Sequence, residues 1–335
     1  MSILFVHNSL TKFVQTDLEI LQEHFPVREL ALTSRWLPVR AIWQAVKGSR
    51  LVFGWFASWH TLLPLYFARR LNKPSVLVIG GYDVACRPEI GYGHQRRILP
   101  RIISRACMHL ASQLMTNSYY SQAEAELNAG IPAARLQVIY HGLVDPFGSL
   151  PVKPVPPTIL TVGNVEQDNL LRKGHLAFAQ ASRLLPEFPF VIAGRIKDRA
   201  GEQLKQAGGP NLRLADWLSQ ADLNDLYRQA SVYVQASQHE GFGLSLAEAM
   251  LAGCLPVVTR IGALPEVAGE TGVYIDSPTP ESAMVVTPQS VAGGIRQALS
   301  LPPDARALAR QKILDDFPLE KRRQALIHLV EECFL

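Results

Sequence analysis

"VYVQASQHEGFGLSLAEAMLAGC", Val232 to Cys254, is the stretch from which the fold can be read. It opens as a β-rich apolar run, is interrupted by Gly241 and Gly243, and continues with Ala247, Met250, Leu251 and Cys254 at the i, i+3, i+4, i+7 spacing of a buried helix face. A strand that passes through a glycine turn straight into a helix is half of a parallel βαβ unit. Gly241 and Gly243 let backbone amides come close to a ligand, and the helix start aims N–H groups at it, which makes the turn a phosphate cradle. Glu240 in the turn and Glu248 about one turn into the helix add two carboxylates, each able to accept two hydroxyl hydrogen bonds from a ribose or a sugar. Ser245-x-x-Glu248 also fits a capping box, which would make Glu248 a helix-closing residue. Glu240 has no such role.

Outward from this stretch, short β-rich runs alternate with helical patterns over almost the whole chain. Strands are expected at "SILFV", "PVREL", "RLVFGWF", "PSVLVI", "QLMTN" and "RLQVIY", then again at "TILTVG", "FVIAG", "NLRLAD", "VYVQAS", "LPVVT" and "GVYI". Between the two series lies "PFGSLPVKPVPP", residues 146–157, whose five prolines suit a linker and neither a helix nor a central strand. The expectation is two doubly wound, Rossmann-like parallel-sheet domains facing a central cleft: residues 1–150, residues 151–303, and a helical segment 304–335 packing back on the N-terminal domain. Neither half has G-x-G-x-x-G after its first strand, which disfavours a dinucleotide-binding dehydrogenase.

The bulk properties agree with a soluble enzyme: 335 residues suffice for two domains, 48% are apolar and 19% charged. Cys86, Cys107, Cys254 and Cys333 are scattered without metal-ligand spacing, which argues against a structural zinc site or a disulfide framework and fits a reducing compartment. "LVFGWFASWHTLLPLYFA", Leu51 to Ala68, approaches bilayer-spanning length, but Gly54, Ser58, His60, Thr61 and Pro64 interrupt it, and it reads as strand, loop and helix. The N-terminus enters a strand without a signal-peptide pattern, so a cytoplasmic location is expected. Residues 1–150 hold 15 Lys+Arg against 9 Asp+Glu, so the positive charge belongs to the first half and suits an anionic partner. Within it, Arg97, Arg101, Arg105 and His109 recur every fourth residue beside Ile98, Ile102 and Leu110, a basic amphipathic pattern that points to the inner face of a membrane. No nucleic-acid partner is expected.

Two further positions carry chemistry. Lys173 in "LLRKGH" lies between a strand and a helix, poor electrostatics for a helix start but a good place for an ammonium to meet a diphosphate. In "GGYDVACRPEIGYG" Gly80 and Gly81 allow close backbone approach, and Asp83 either orients a hydroxyl or completes a turn. Trp55, Trp59 and His60 leave the third strand as either acceptor-lining or core residues.

"HEGFGLSLAEAMLAGCLPVVTRIGALPEV", with its E-x7-E spacing, small-residue helix, strand and G-x-x-P-E turn, resembles family 4 of the retaining glycosyltransferases, which have the GT-B fold. The likeness extends to Thr158–Ala181 and Thr116–Leu143 and is weakest over the first fifty residues. It implies that Glu248 binds the ribose of a sugar nucleotide, Glu240 the donor sugar, and the amides of Phe242, Gly243, Leu244 and Ser245 the sugar and diphosphate. Lys173 would stabilise the leaving diphosphate, with Gly163 and Asn164 beside it. The family commonly has an arginine where this chain has Asn164, leaving Arg172 or Arg195 to supply that charge. The usual glycine-rich loop after the first strand is replaced by "HNSLTKF", and the histidine after the fourth strand is absent. The resemblance implies a retaining glycosyltransferase without metal or cofactor, moving a sugar from a nucleotide-diphosphate sugar to a hydroxyl of a glycan or glycolipid acceptor. A GT-B sugar-nucleotide epimerase and a non-catalytic sugar-nucleotide-binding subunit are the alternatives. No D-x-D pair is present to hold a divalent ion.

Overall fold

The computed structural model describes residues 2–34, 36–275 and 286–334. The chain forms two compact units, Met1–Gly142 with Leu319–Leu335, and Leu143–Pro318.

The first unit is built on six strands: β1 (Ile3–His7), β2 (Val27–Ala31), β3 (Leu51–Trp55), β4 (Ser75–Ile79), β5 (Gln113–Thr116) and β6 (Leu136–Val138). All neighbours are parallel, in the order β2-β1-β3-β4-β5-β6. Every residue of β1, β3 and β4 is buried, as expected where helices cover both faces of a parallel sheet. Alternate residues serve the two faces: Leu4, Val6, Val52 and Leu77 join one apolar cluster, and Ile3, Phe5, Phe53 and Val76 the other. The second cluster is covered by the helices Lys12–His24 and Leu319–Glu332, whose Leu326, Leu329 and Val330 are buried in it.

An ion pair lies inside this second layer. The Arg322 guanidinium donates from Nε and Nη2 to both carboxylate oxygens of Asp17, at 2.6 and 2.8 Å, and from Nη1 to the carbonyls of Ile139 and Tyr140. Asp17 also accepts from the Trp55 indole at 3.1 Å. Arg322 is 2% exposed and Asp17 wholly buried, so each charge depends on the other.

The second unit repeats the architecture with β7 (Thr158–Val162), β8 (Phe190–Ala193), β9 (Leu212–Ala215), β10 (Ala230–Gln235), β11 (Leu255–Thr259) and β12 (Val273–Ile275). These are again all parallel, in the order β12-β11-β10-β7-β8-β9. The chain winds outward from β7 to β9, returns to the other side of β7, and winds outward again from β10. The carboxyl ends of β7 and β10 therefore form the switch point at which open α/β sheets hold ligands.

The twelve expected strands form, and Leu51 to Ala68 is a strand, a loop and a helix, Trp59–Arg70. No helix among the described residues is long and apolar enough to cross a membrane. The expected boundary at 150/151 falls inside the second unit, and the proline-rich stretch is anchored there. The Lys153 ammonium donates to the carbonyls of Tyr227 and Ala252, 2.9 and 2.7 Å away. The helical segment expected at 304–335 is divided at Phe317–Pro318 into Ala305–Asp316, in the second unit, and Leu319–Glu332, in the first.

Replacing Arg322 with alanine would leave Asp17 buried without its counter-charge. The expected loss is about 3–5 kcal/mol of unfolding free energy, measured by urea titration. A loss below about 1 kcal/mol, the range of exposed pairs, would show that the buried pair is not a structural lock.

Candidate active site

Parallel pairing of β7 with β10 brings together two loops that are distant in sequence. After β7, the chain turns at Gly163 and runs through the short helix Gln167–Arg172 to Lys173 and Gly174. After β10, it runs from Ala236 to Gly243 and enters the helix Leu244–Leu251. The loops are joined directly: the Gln238 N–H donates to the Arg172 carbonyl at 2.7 Å. Gly174, at φ +69°, lies so close that a Cβ there would be 2.3 Å from the Ala236 carbonyl oxygen.

This contact holds Lys173 in front of the β10 loop, where its ammonium pairs with Glu240 Oε1. The Ser237 hydroxyl donates to the same oxygen at 2.9 Å. Burial pushes the Glu240 carboxyl up, but the Lys173 and Arg172 charges and the hydrogen bonds from Lys173 and Ser237 outweigh it and hold the group down at about 2. The backbone of Glu240 is fixed from a third loop. Ala263 N–H donates to its carbonyl at 3.0 Å, and a Cβ on Gly262, at φ +64°, would lie 2.4 Å from that oxygen. Gly262 belongs to the G-x-x-P-E turn of the sequence, and its role here is to let β11's loop reach Glu240.

The second carboxylate has a different environment. Glu248 Oε2 accepts from the Tyr227 hydroxyl at 3.1 Å. The Tyr233 phenol, wholly buried, is pushed up first by burial and also by the charges of both Glu240 and Glu248. The capping-box alternative for Glu248 does not hold. The N-cap is Gly243, at φ +103°, no side chain caps the helix, and Ser245 already lies inside its first turn. Phe242 is buried with its ring 5.3 Å from that of Phe317 in an edge-on contact, while Leu244 and Ser245 are half-buried at the helix start.

Gly163, Lys173, Glu240 and the helix start therefore share one site. Asn164 is exposed next to Gly163, with its carbonyl accepting from Asn169 Nδ2 at 2.8 Å. Of the two arginines considered for the missing charge, Arg172 is the one at the site, since its charge lowers Glu240. Arg195 is exposed and acts on Asp216 instead. The sequence reading missed His175. It is wholly buried, with Nε2 3.2 Å from where a Cβ on Gly163 would be, and neither ring nitrogen has a hydrogen-bond partner among the described residues. Burial, then the Lys173 and Arg172 charges, lower it to about 3 against the pull of Glu240, so the imidazole is neutral. Nothing in the spacing of "RKGH" sets this histidine apart from an ordinary helix-start residue.

In the first unit, Asp83 is 1% exposed. Its Oδ2 accepts from the backbone of Ala57 at 2.8 Å and Gly80 at 3.4 Å, and its carbonyl accepts from Gln95 Nε2. Asp83 thereby ties the loop after β3 to the loop after β4. A Cβ on Gly80 would be 2.3 Å from the Phe56 ring, and Phe56 itself holds a left-handed backbone at φ +67°. Trp55 and His60 are core residues.

The charge state of Glu240 can be tested by acid. Its carboxyl titrates near 4.5 in the unfolded chain and about 2 in the folded one, so its contribution to stability is fully present above that window and fades as pH falls through it. Urea unfolding at stepped pH should show a steeper acid loss for the wild type than for Glu240→Gln. Identical slopes would contradict the pairing with Lys173.

Residues 156–292 match the family of glycosyl transferases group 1. A GDP-mannose:cellobiosyl-diphosphopolyprenol alpha-mannosyltransferase of Xanthomonas oryzae pv. oryzae (strain PXO99A) is 30% identical over 159 residues, 45% of this chain and 42% of that protein. The O-antigen chain mannosyltransferase B of Escherichia coli is 32% identical over 126 residues, 35% of this chain and 32% of that one. The chain thus matches less than half the length of these relatives. In three dimensions, a glycosyltransferase from Rickettsia africae ESF-5 covers 99% of the chain, and 98% of its own, with a TM-score of 0.75 at 17% identity. The fold is that of the GT-B glycosyltransferases, and residues 156–292 are similar in sequence to glycosyl transferases group 1.

Proposed function

We propose that the protein is a retaining glycosyltransferase that takes a nucleotide-diphosphate sugar in its second unit and passes the sugar to a hydroxyl of a lipid-linked glycan acceptor held by the first. The observation that carries this reading is the Lys173–Glu240 pair at the switch point of a segment that matches group 1 glycosyltransferases. Two relatives are named as mannosyltransferases, one of them with GDP-mannose, so GDP-mannose is the first donor to test.

In this reading the bond from the anomeric carbon to the diphosphate oxygen breaks, the acceptor oxygen bonds to the same face of the sugar, and its proton passes to the departing diphosphate, which leaves as the nucleoside diphosphate. Negative charge develops on the leaving diphosphate. The Lys173 ammonium and the uncapped start of the helix Leu244–Leu251 are fixed positive groups that meet it without reorganising. Arg172 adds to the same field. Glu240, ionised and held by three loops, orients the donor sugar's hydroxyls, and Glu248 with Tyr227 receives the ribose diol. Gly163 and Asn164 contribute backbone to the cradle. Asp83 acts on the acceptor side by holding the loops after β3 and β4.

No cofactor takes part in this scheme, and Lys173 fills the place of a divalent ion. Among the described residues no group of three His, Cys, Asp or Glu is placed to hold a metal. Transfer from GDP-mannose should continue in excess EDTA. Complete loss that magnesium or manganese restores would overturn the metal-free mechanism.

Glu248→Ala should weaken GDP-mannose binding by about 1.5–3 kcal/mol in calorimetric titration, the range for hydrogen bonds to a charged group. Unchanged affinity would remove Glu248 from the donor site. Glu240→Gln should reduce turnover more than donor affinity, and full turnover in that variant would remove Glu240 from the reaction.

A further inference from the structure

The loop after β7 holds a buried polar side chain with no role in the reaction so far. Asn169 is 3% exposed, in the short helix Gln167–Arg172. Its Nδ2 donates to the Asn164 carbonyl at 2.8 Å and to Glu166 Oε1 at 3.0 Å. Its Oδ1 accepts from Arg172 Nε at 3.1 Å and also from Arg172 Nη2. These bonds use both amide hydrogens and both lone pairs of the oxygen, so the side chain is saturated. They also fix which way it points, since a flipped amide would set its N–H groups against the guanidinium and its oxygen against the Asn164 carbonyl.

Arg172 is thereby held at both ends. Its carbonyl accepts from the Gln238 N–H of the β10 loop at 2.7 Å, and its guanidinium is fixed by Asn169. The group that fixes it is neutral. A carboxylate at position 169 would hold the guanidinium equally well but would cancel its charge. Of the two acids in residues 163–174, Glu166 gives its other oxygen to the Lys197 ammonium at 2.7 Å, and Asp168 is exposed. The Arg172 charge reaches the site, where it lowers both Glu240 and His175, and the next residue, Lys173, is bonded to Glu240. The turn after β7 has anchors of its own: Gly163 N–H donates to the Ala193 carbonyl and Val165 N–H to the Arg195 carbonyl, both at 2.9 Å. The bonds from Nδ2 therefore steady the amide, and its oxygen is left to place Arg172.

We propose that Asn169 is a positioning residue for an anionic ligand, presenting the Arg172 guanidinium to a diphosphate with its charge uncancelled. A cation held in place before the anion arrives need not reorganise as charge develops on it, which is the condition for strong electrostatic stabilisation. That the diphosphate belongs to a sugar nucleotide rests on the glycosyltransferase reading; the dependence of Arg172 on Asn169 does not. A residue that acts through Arg172 differs from a simple loop staple in one respect. Its removal should weaken binding no further once the arginine's charge is gone.

The test is a double-mutant cycle on the full chain, read by calorimetric titration with GDP, UDP and inorganic pyrophosphate. Arg172→Gln should weaken binding by at least about tenfold, the range for a hydrogen bond to a charged group. Asn169→Leu, similar in size, should weaken it by at least about fivefold. The double variant should bind within about twofold of Arg172→Gln alone, because Asn169 then has no cation to place. Should Asn169→Leu lack a cooperative thermal transition, Asn169→Ser takes its place in the cycle with the same expected losses. Losses that multiply in the double variant, wild-type affinity in the folded Asn169 variant, or wild-type affinity in Arg172→Gln would each overturn the proposal. So would a wild type that binds none of the three ligands. Pyrophosphate binding with the expected cycle, but no binding of GDP or UDP, would support the anion site and count against the sugar-nucleotide reading alone.

Discussion

The functional geometry of the second unit depends on one feature of its sheet, the reversal of strand order between β7 and β10. Lys173 and Glu240 are 67 positions apart and meet because their strands are parallel neighbours whose carboxyl ends point the same way. Were β10 added beyond β9, the two loops would be separated by two strands. The ion pair follows from the topology, and the close contacts of Gly174 with Ala236 and of Gly262 with Glu240 fix it in place. Each of these glycines has a backbone conformation or an approach that a side chain would obstruct, so the charged pair is supported by loops shaped for it.

Buried charge has separate uses in the two units. Asp17 and Arg322, 305 positions apart, close the first unit by drawing the last helix against the first. Such a pair contributes less through net attraction than through the cost of any arrangement that leaves one charge alone, and it therefore selects this register of the terminal helix. Arg310 does the same in the second unit, where its guanidinium holds Asp145. Glu240 and Lys173 are 11% and 17% exposed, open enough to exchange partners with a ligand while their local field stays strong.

The first unit has less chemistry on display. Asp83 spends its carboxylate on backbone N–H groups of two loops. Ile98, Leu99 and Ile102 are exposed at the start of one helix, and Leu99 also lines a cavity with apolar walls.

Much of the architecture is legible in the order of residues. Strand runs alternating with helical patterns imply parallel sheets, because parallel neighbours require crossovers, and the twelve strands stand where the β-rich runs are. The E-x7-E turn shows its two carboxylates and its glycines directly. Distance along the chain hides the rest. The proline run at 146–157 looks like a boundary, but Lys153 anchors it to carbonyls that only the folded second unit brings together. The C-terminal pattern reads as one segment, yet Phe317–Pro318 divides it between units, because Arg322 finds its carboxylate at Asp17. Arg105 fits a surface stripe by its spacing and is turned inward by Gln95 and Asn128. His175 carries no signal of its own, and the G-x-x-P-E turn shows Gly262 without showing that it makes room for the Glu240 carbonyl. Local propensity and periodicity are properties of neighbouring residues and can be read from sequence; pairings across a sheet or between distant helices are set by packing, and only the tertiary structure decides them.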